Sequence, residues 1–195
     1  MLLRRRPTVA ALGAMTLFAA CAGTESADSE DRDGTIDEVV DVAAAAHSNV
    51  DLPGTDDAAE LWAFLGSVDY RSWSLWPGQG ERYPGGEPHG STLTTYVNRV
   101  ASAALEEGAV EMPPGAIIVK ENYLPDGQLG AVTTMYKVRG FNPEAGDWHW
   151  VKFLPDGSVD NEGRAQGKVP GCIGCHTGKA DNDYLFTSPL GGGPR

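Results

Sequence analysis

The sequence predicts an α+β domain, mainly antiparallel β, that carries a ligand-bearing segment at its C-terminal end. Three observations point there. Two short apolar stretches with capping residues, 58–65 and 99–107, lie in the first half of the domain. Three runs rich in β-branched and aromatic residues follow, punctuated by two Pro-Asp-Gly turns at 125–127 and 155–157. The chain of 195 residues also holds 25 Gly and 13 Pro, which favours many turns over long helices.

Taken in order, Thr55, Asp56 and Asp57 supply a cap and early acids for a helix that ends at Gly66. Tyr70-Arg71-Ser72-Trp73-Ser74-Leu75-Trp76 is an aromatic segment that enters a glycine- and proline-rich loop running through Pro88-His89-Gly90. Residues 92–97 are strand-like in composition, and Asn98 caps a helix over 99–107 that stops at Gly108. Residues 116–120 form a strand, 131–138 return as a second, and 148–154 make a third after the connection at 142–147. The repeated Pro-Asp-Gly is a local hairpin device and not an internal repeat. Residues 168–187 form the tail, with Asp183-Tyr184-Leu185-Phe186-Thr187 packing back on the domain.

The N-terminus reads as an export signal. Arg4, Arg5 and Arg6 precede a short apolar run over 9–20, too short to span a bilayer comfortably. It ends Leu17-Phe18-Ala19-Ala20-Cys21, which resembles a lipoprotein signal with Phe18 where leucine is usual. Cys21 would then carry the lipid, and an ordinary signal cleaved nearby is the alternative. This divides the chain into a signal peptide at 1–20, an acidic tether at 21–45, the domain at 46–187 and a flexible tail at 188–195. Removing residues 1–20 leaves 12 basic residues against 27 acidic ones. That surface repels nucleic acid and favours positively faced protein partners.

The chemistry sits in Cys172-Ile173-Gly174-Cys175-His176. Two cysteines separated by two residues and followed by histidine form the attachment signature of c-type haem. Thiols at this spacing can reach both vinyl groups of one porphyrin edge, and the adjacent imidazole can ligate iron. A structural zinc site would need a second Cys/His pair at suitable spacing, and a thioredoxin-like pair would need a βαβ context; the sequence offers neither. With Cys172 and Cys175 committed to one covalent haem, Cys21 is the lone remaining cysteine, and a lipid anchor accounts for it.

The chain as a whole resembles the cytochrome P-460 family, β-sheet proteins with a c-type haem attached near the C-terminus. The resemblance rests on Pro88-His89-Gly90 with Tyr96-Val97-Asn98, on Pro114-Gly115-Ala116-Ile117-Ile118-Val119-Lys120-Glu121 and on Asn142-Pro143-Glu144-Ala145-Gly146-Asp147-Trp148. The haem motif and residues 183–187 complete it. It implies thioether roles for Cys172 and Cys175, iron ligation by His176, and a position for Lys120 matching a lysine bonded to the haem in the name-giving members. Those members oxidise hydroxylamine, and sister proteins, the β-type cytochromes c′, bind nitric oxide without the cross-link. The position of a distal arginine falls on Leu93, and no matching distal acid can be placed.

Read from the residues alone, Lys120 shares a strand face with Ile118 and Ala116 and points inward, where burial would free its amine as a nucleophile. A strand-end lysine whose head reaches water is the alternative. His89 is the leading distal candidate, as proton donor or sixth iron ligand, although a loop histidine satisfied by backbone bonds is the reading the sequence favours. His149, alternating with Trp148 and Trp150, is expected on the surface, and His47 in the tether is expected to be incidental. The five tryptophans are expected in the core, with one or two against the haem edge. Function then divides three ways: oxidation of small nitrogen compounds at an open iron, gas binding of the β-type cytochrome c′ kind, or mono-haem electron transfer with His89, Met112 or Met135 as sixth ligand. An external redox protein and a membrane, reached through the lipid on the periplasmic face of a bacterium, are the expected partners.

Overall fold

The structure, a computed structural model, describes Pro53, residues 57–186 and Leu190. The signal peptide, Cys21, the tether with His47, and the 188–195 tail apart from Leu190 lie outside the described residues.

Asp57 caps α1 (Ala58–Ser67) by accepting the Ala59 N–H, and Leu61 and Leu65 form its buried face. After a 3-10 turn at Tyr70–Ser72 come β1 (Ser74–Leu75), β2 (Tyr83–Gly86) and β3 (Gly90–Val97). Asn98 then caps α2 (Arg99–Glu107), which ends at Gly108 in the left-handed conformation. The Asn98 side chain also bonds the backbone of Gly115 and Ile117, tying the helix start to the next strand. β4 (Ile117–Tyr123), β5 (Leu129–Lys137), β6 (Trp148–Phe153) and β7 (Gln166–Gly167) follow, before α3 (Pro170–His176) and a 3-10 turn over Thr177–Asn182.

The strands make one seven-stranded sheet in the order β1-β3-β4-β5-β6-β7, with β2 also paired to β3, and every pairing is antiparallel. Both faces are covered. Ile117, Val119, Val132, Val151 and Phe153 pack with Leu61 and Leu65 of α1 on one side. Val97, Ile118, Met135, Trp148 and Trp150 pack with Val100, Ala101 and Ala104 of α2 and with Leu185 of the tail on the other. Burial on both faces explains why Ala116-Ile117-Ile118-Val119 is a continuous apolar run without alternation.

Two expectations change. The loop expected before residue 92 is in part a hairpin, because Tyr83 and Pro84 pair with Leu93 and Thr92. Pro84 is tolerated because β2 lies at a sheet edge, where a missing N–H breaks no ladder. His149 is not on the surface. It does face away from Trp148 and Trp150, but it is 2% exposed and its ring meets Phe141 at 5.1 Å, since the 138–147 connection covers that face.

On the α1 face, Glu121 is buried and fully engaged. Tyr70 donates to it at 2.9 Å and Tyr123 at 2.5 Å, and Arg71 pairs with it at 2.5 Å. Burial, reinforced by the Glu121 charge, pushes the Tyr70 phenol well up. Glu121→Leu would strand the Tyr70 hydroxyl and leave Arg71 without its carboxylate, at roughly 1–3 kcal/mol for the unsatisfied buried hydroxyl. The expected result is a lower urea midpoint at an unchanged m-value, with the opposite face of the sheet undisturbed.

Candidate haem site

Residues 169–176 place the three motif side chains. Pro170 opens α3, where its fixed φ suits the first helical turn. Three positions apart, Cys172 and Cys175 share a helix face. Cys172 packs against the core beside Ile173, Cys175 is exposed, and both thiols are free. Burial raises the Cys172 thiol pKa. His176 closes the helix with its side chain turned inward, 9% exposed.

His176 is held by the returning tail. Its Nδ1 lies 2.6 Å from the Tyr184 carbonyl oxygen. A carbonyl only accepts, so Nδ1 carries the proton and Nε2 presents a bare lone pair. The tail reaches this position by an unusual turn: Asp183 and Tyr184 both adopt positive φ, 50° and 63°. Asp183 fixes that turn. Its carboxylate accepts from Lys137 Nζ at 2.6 Å and from the Met112 N–H at 2.8 Å, while Trp148 Nε1 donates to its carbonyl at 2.9 Å. The Tyr184 hydroxyl donates to the Glu144 backbone carbonyl at 3.0 Å, and Gly146 leaves room for the Tyr184 ring. Burial pushes the Asp183 carboxyl up, outweighing Lys137 beside it.

A cavity opens between the tail and the sheet. The tail contributes Cys172, His176, Leu185 and Phe186. From the sheet come Thr95, Ile118, Lys120, Thr133, Met135 and Trp150, and from the β2–β3 turn comes His89. Lys120 therefore faces where strand alternation places it, and its neighbours across the ladder, Thr95 and Thr133, line the same wall. Burial lowers the Lys120 pKa, and its charge reaches both imidazoles. Of the five tryptophans, Trp150 lines the cavity, 6.4 Å from His176 between ring centres; Trp76 and Trp148 are core, and Trp62 and Trp73 are only half-buried against the other face of the sheet, Trp62 on Phe153. Met135 lines the cavity, whereas Met112 is buried in the core. Leu93 is buried on β3, and no acidic side chain lines the cavity among the described residues.

His89 is in the cavity and is not the backbone-satisfied loop histidine that the sequence favours. Its N–H does bond Gly86, but its ring stands 6.3 Å from that of His176 and its Nδ1 lies 3.1 Å from Asn122 Oδ1. Gly90, at φ 139°, lets the chain pass Tyr123 so closely that a Cβ would lie 2.8 Å from the Tyr123 carbonyl oxygen. Sequence reasoning missed Asn122 and Asp183. The alternation that places Lys120 inward also places Asn122 there, so that signal was present; nothing local marks Asp183 as the partner of Lys137.

Burial pushes His89 down to about 4 and lowers His176 as well. Both folded-state values then lie below the ordinary value of 6.5, so the unfolded chain takes up protons first as pH falls. Stability of the haem-free chain is expected to be complete above pH 6.5 and to decline toward pH 4. Urea unfolding at pH 7 and pH 5 checks this, with the lower midpoint at pH 5.

The residues fit a haem: two free thiols on one helix face, an imidazole with its Nε2 bare, and apolar walls from Ile118, Met135, Trp150, Leu185 and Phe186. No curated protein matches the chain. The family model described as Cytochrome P460 matches residues 68–187, which takes in the sheet, α3 and the tail that holds His176. The chain belongs to the cytochrome P460 family and is, on that ground, a c-type haem protein.

Proposed function

We propose that Cys172 and Cys175 would hold one haem in the mature protein, that His176 Nε2 would ligate its iron, and that the bound haem would serve to bind or oxidise small nitrogen compounds, hydroxylamine and nitric oxide. The observation that carries this reading is the anchored imidazole: the Nδ1–H of His176 donates to the Tyr184 carbonyl, which leaves Nε2 toward a cavity lined by Lys120. The haem supplies an iron that holds such a ligand and exchanges electrons.

The chain supplies the rest. Tyr184 orients His176 and raises its basicity. Trp150, Leu185 and Phe186 keep that side apolar, which controls solvent access and potential. Lys120 lines the same cavity and burial favours its amine in the neutral form, which supports its match to the haem-bonded lysine of the family's name-giving members. Titrating the matured protein with nitric oxide, and mixing it with hydroxylamine and an electron-accepting dye, tests the reading. A spectral change with nitric oxide is expected, with dye reduction if Lys120 is linked; no response to either compound sinks it.

A second reading, capture of nitric oxide without turnover, is favoured by the lining. Among the described residues the cavity holds His89, Lys120, Cys172 and His176 as its titratable groups, with no acid or arginine to move protons. Nitric oxide binding without dye reduction selects it. Export and a Cys21 lipid anchor complete the proposal, with a positively faced redox protein as electron partner. Cys21→Ala should release the protein from the membrane fraction, and unchanged fractionation would remove the anchor.

A further inference from the structure

We propose that His89 is the second axial ligand of the iron in the resting protein, a displaceable one, and that Asn122 positions it for that role. The inference rests on the reading of His176 as the first ligand.

Asn122 decides which nitrogen of His89 is available. Its amide nitrogen donates to the carbonyls of Lys120 at 3.0 Å and Ala131 at 3.2 Å, with Thr133 Oγ1 also 3.2 Å away. The two carbonyls only accept and so fix the amide, and Oδ1 is the atom that faces His89. Oδ1 only accepts, hence His89 Nδ1 carries the proton and Nε2 is bare. His176 is held in the same way, its Nδ1–H on a carbonyl and its Nε2 bare. Two imidazoles of one tautomer thus share one cavity, each with an oxygen acceptor behind it, the arrangement that metal-binding histidines adopt.

The separation agrees. The ring centres lie 6.3 Å apart, at an interplanar angle of 85°. Two imidazoles on either side of a single metal ion, each bonded at about 2 Å, have their ring centres roughly 6 Å apart. His89 is also placed to yield. It sits in the β2–β3 turn and not on a strand, and beyond the bond to Asn122 its ring is held by contacts inside the cavity. The other candidates on the same walls are Lys120 and Met135, so the test must separate them.

The matured holoprotein is read by optical and electron paramagnetic resonance spectra, with covalent haem confirmed by mass. A low-spin ferric spectrum is expected in the wild type and a high-spin one in His89→Ala, with added imidazole restoring the low-spin signal. Cyanide should bind His89→Ala on the order of tenfold more tightly, because the wild type binds only through its open fraction. Asn122→Ala should give a mixture of the two spin states. If His89→Ala does not mature, His89→Met replaces it, and a raised reduction potential is the expected sign of a thioether in the ligand's place. A haem-bearing but high-spin wild type overturns the inference and leaves the His176 reading intact, as does a low-spin signal unchanged in His89→Ala. A chain that carries no haem after maturation overturns both.

Discussion

Asp183→Ala is expected to lower stability by about 3–5 kcal/mol, the cost typical of leaving one member of a buried ion pair without its partner. Lys137 is 2% exposed and loses its 2.6 Å bond, retaining Glu111, whose side chain is 68% exposed, and the face of the Trp148 ring at 4.9 Å. The Met112 N–H loses its acceptor at the same time. Alanine also tolerates the φ of 50° at this position less well than aspartate does. The contrasting variant is Glu111→Ala, which removes the solvent-screened partner and should cost less than about 1 kcal/mol. The consequence extends beyond stability. Asp183 holds the turn whose next carbonyl orients His176, so the holoprotein of Asp183→Ala should also show an altered iron spectrum. Urea unfolding and the optical spectrum report the two effects separately, and a variant with wild-type stability would contradict the role given to this clamp.

His176→Ala is expected to have the largest effect on the iron. The ring is fixed at Nδ1 by Tyr184 and flanked by Phe186 at 5.2 Å and Trp150 at 6.4 Å, so its loss empties a space that water or imidazole can enter. The two thiols remain on α3, and the means of covalent attachment is retained. The wild-type spectrum should disappear and return in part with millimolar imidazole, since the cavity that held the ring survives. A spectrum indifferent to this substitution would show that another group ligates the iron on that side.

The parts of this molecule that were legible in its sequence are those decided by local chemistry. Asn98 and Gly108 bracket α2 where the capping rules put them, and the Pro-Asp-Gly turns reverse the chain after β4 and β6, the first into β5 and the second into the bridge of Phe153 with Val159. Strand alternation aims Lys120 at the cavity. What was not legible depends on pairs far apart in the chain. Lys137 and Asp183 are separated by 46 residues, and His89 and Asn122 by 33, so neither pairing leaves a local mark. His149 shows the same limit: alternation gives its face correctly, but only the 138–147 connection, with Phe141, decides that this face is buried. The hairpin of β2 escaped for a different reason. Tyr83-Pro84-Gly85-Gly86 has turn composition, and only its edge position lets such residues pair as a strand.

The proposed bonds from haem to Cys172 and Cys175, beside an iron-ligating His176, can be read from one digest. The chain is produced with haem-maturation machinery and digested, and the peptides are analysed by mass spectrometry. The peptide containing residues 172–176 is expected to carry the mass of one haem, which survives acid extraction, with no free thiol remaining on it. Linkage of the same haem to a peptide containing Lys120 would favour hydroxylamine oxidation over capture of nitric oxide. A 172–176 peptide of unmodified mass, with both thiols still reactive, would show that these cysteines do not hold the haem.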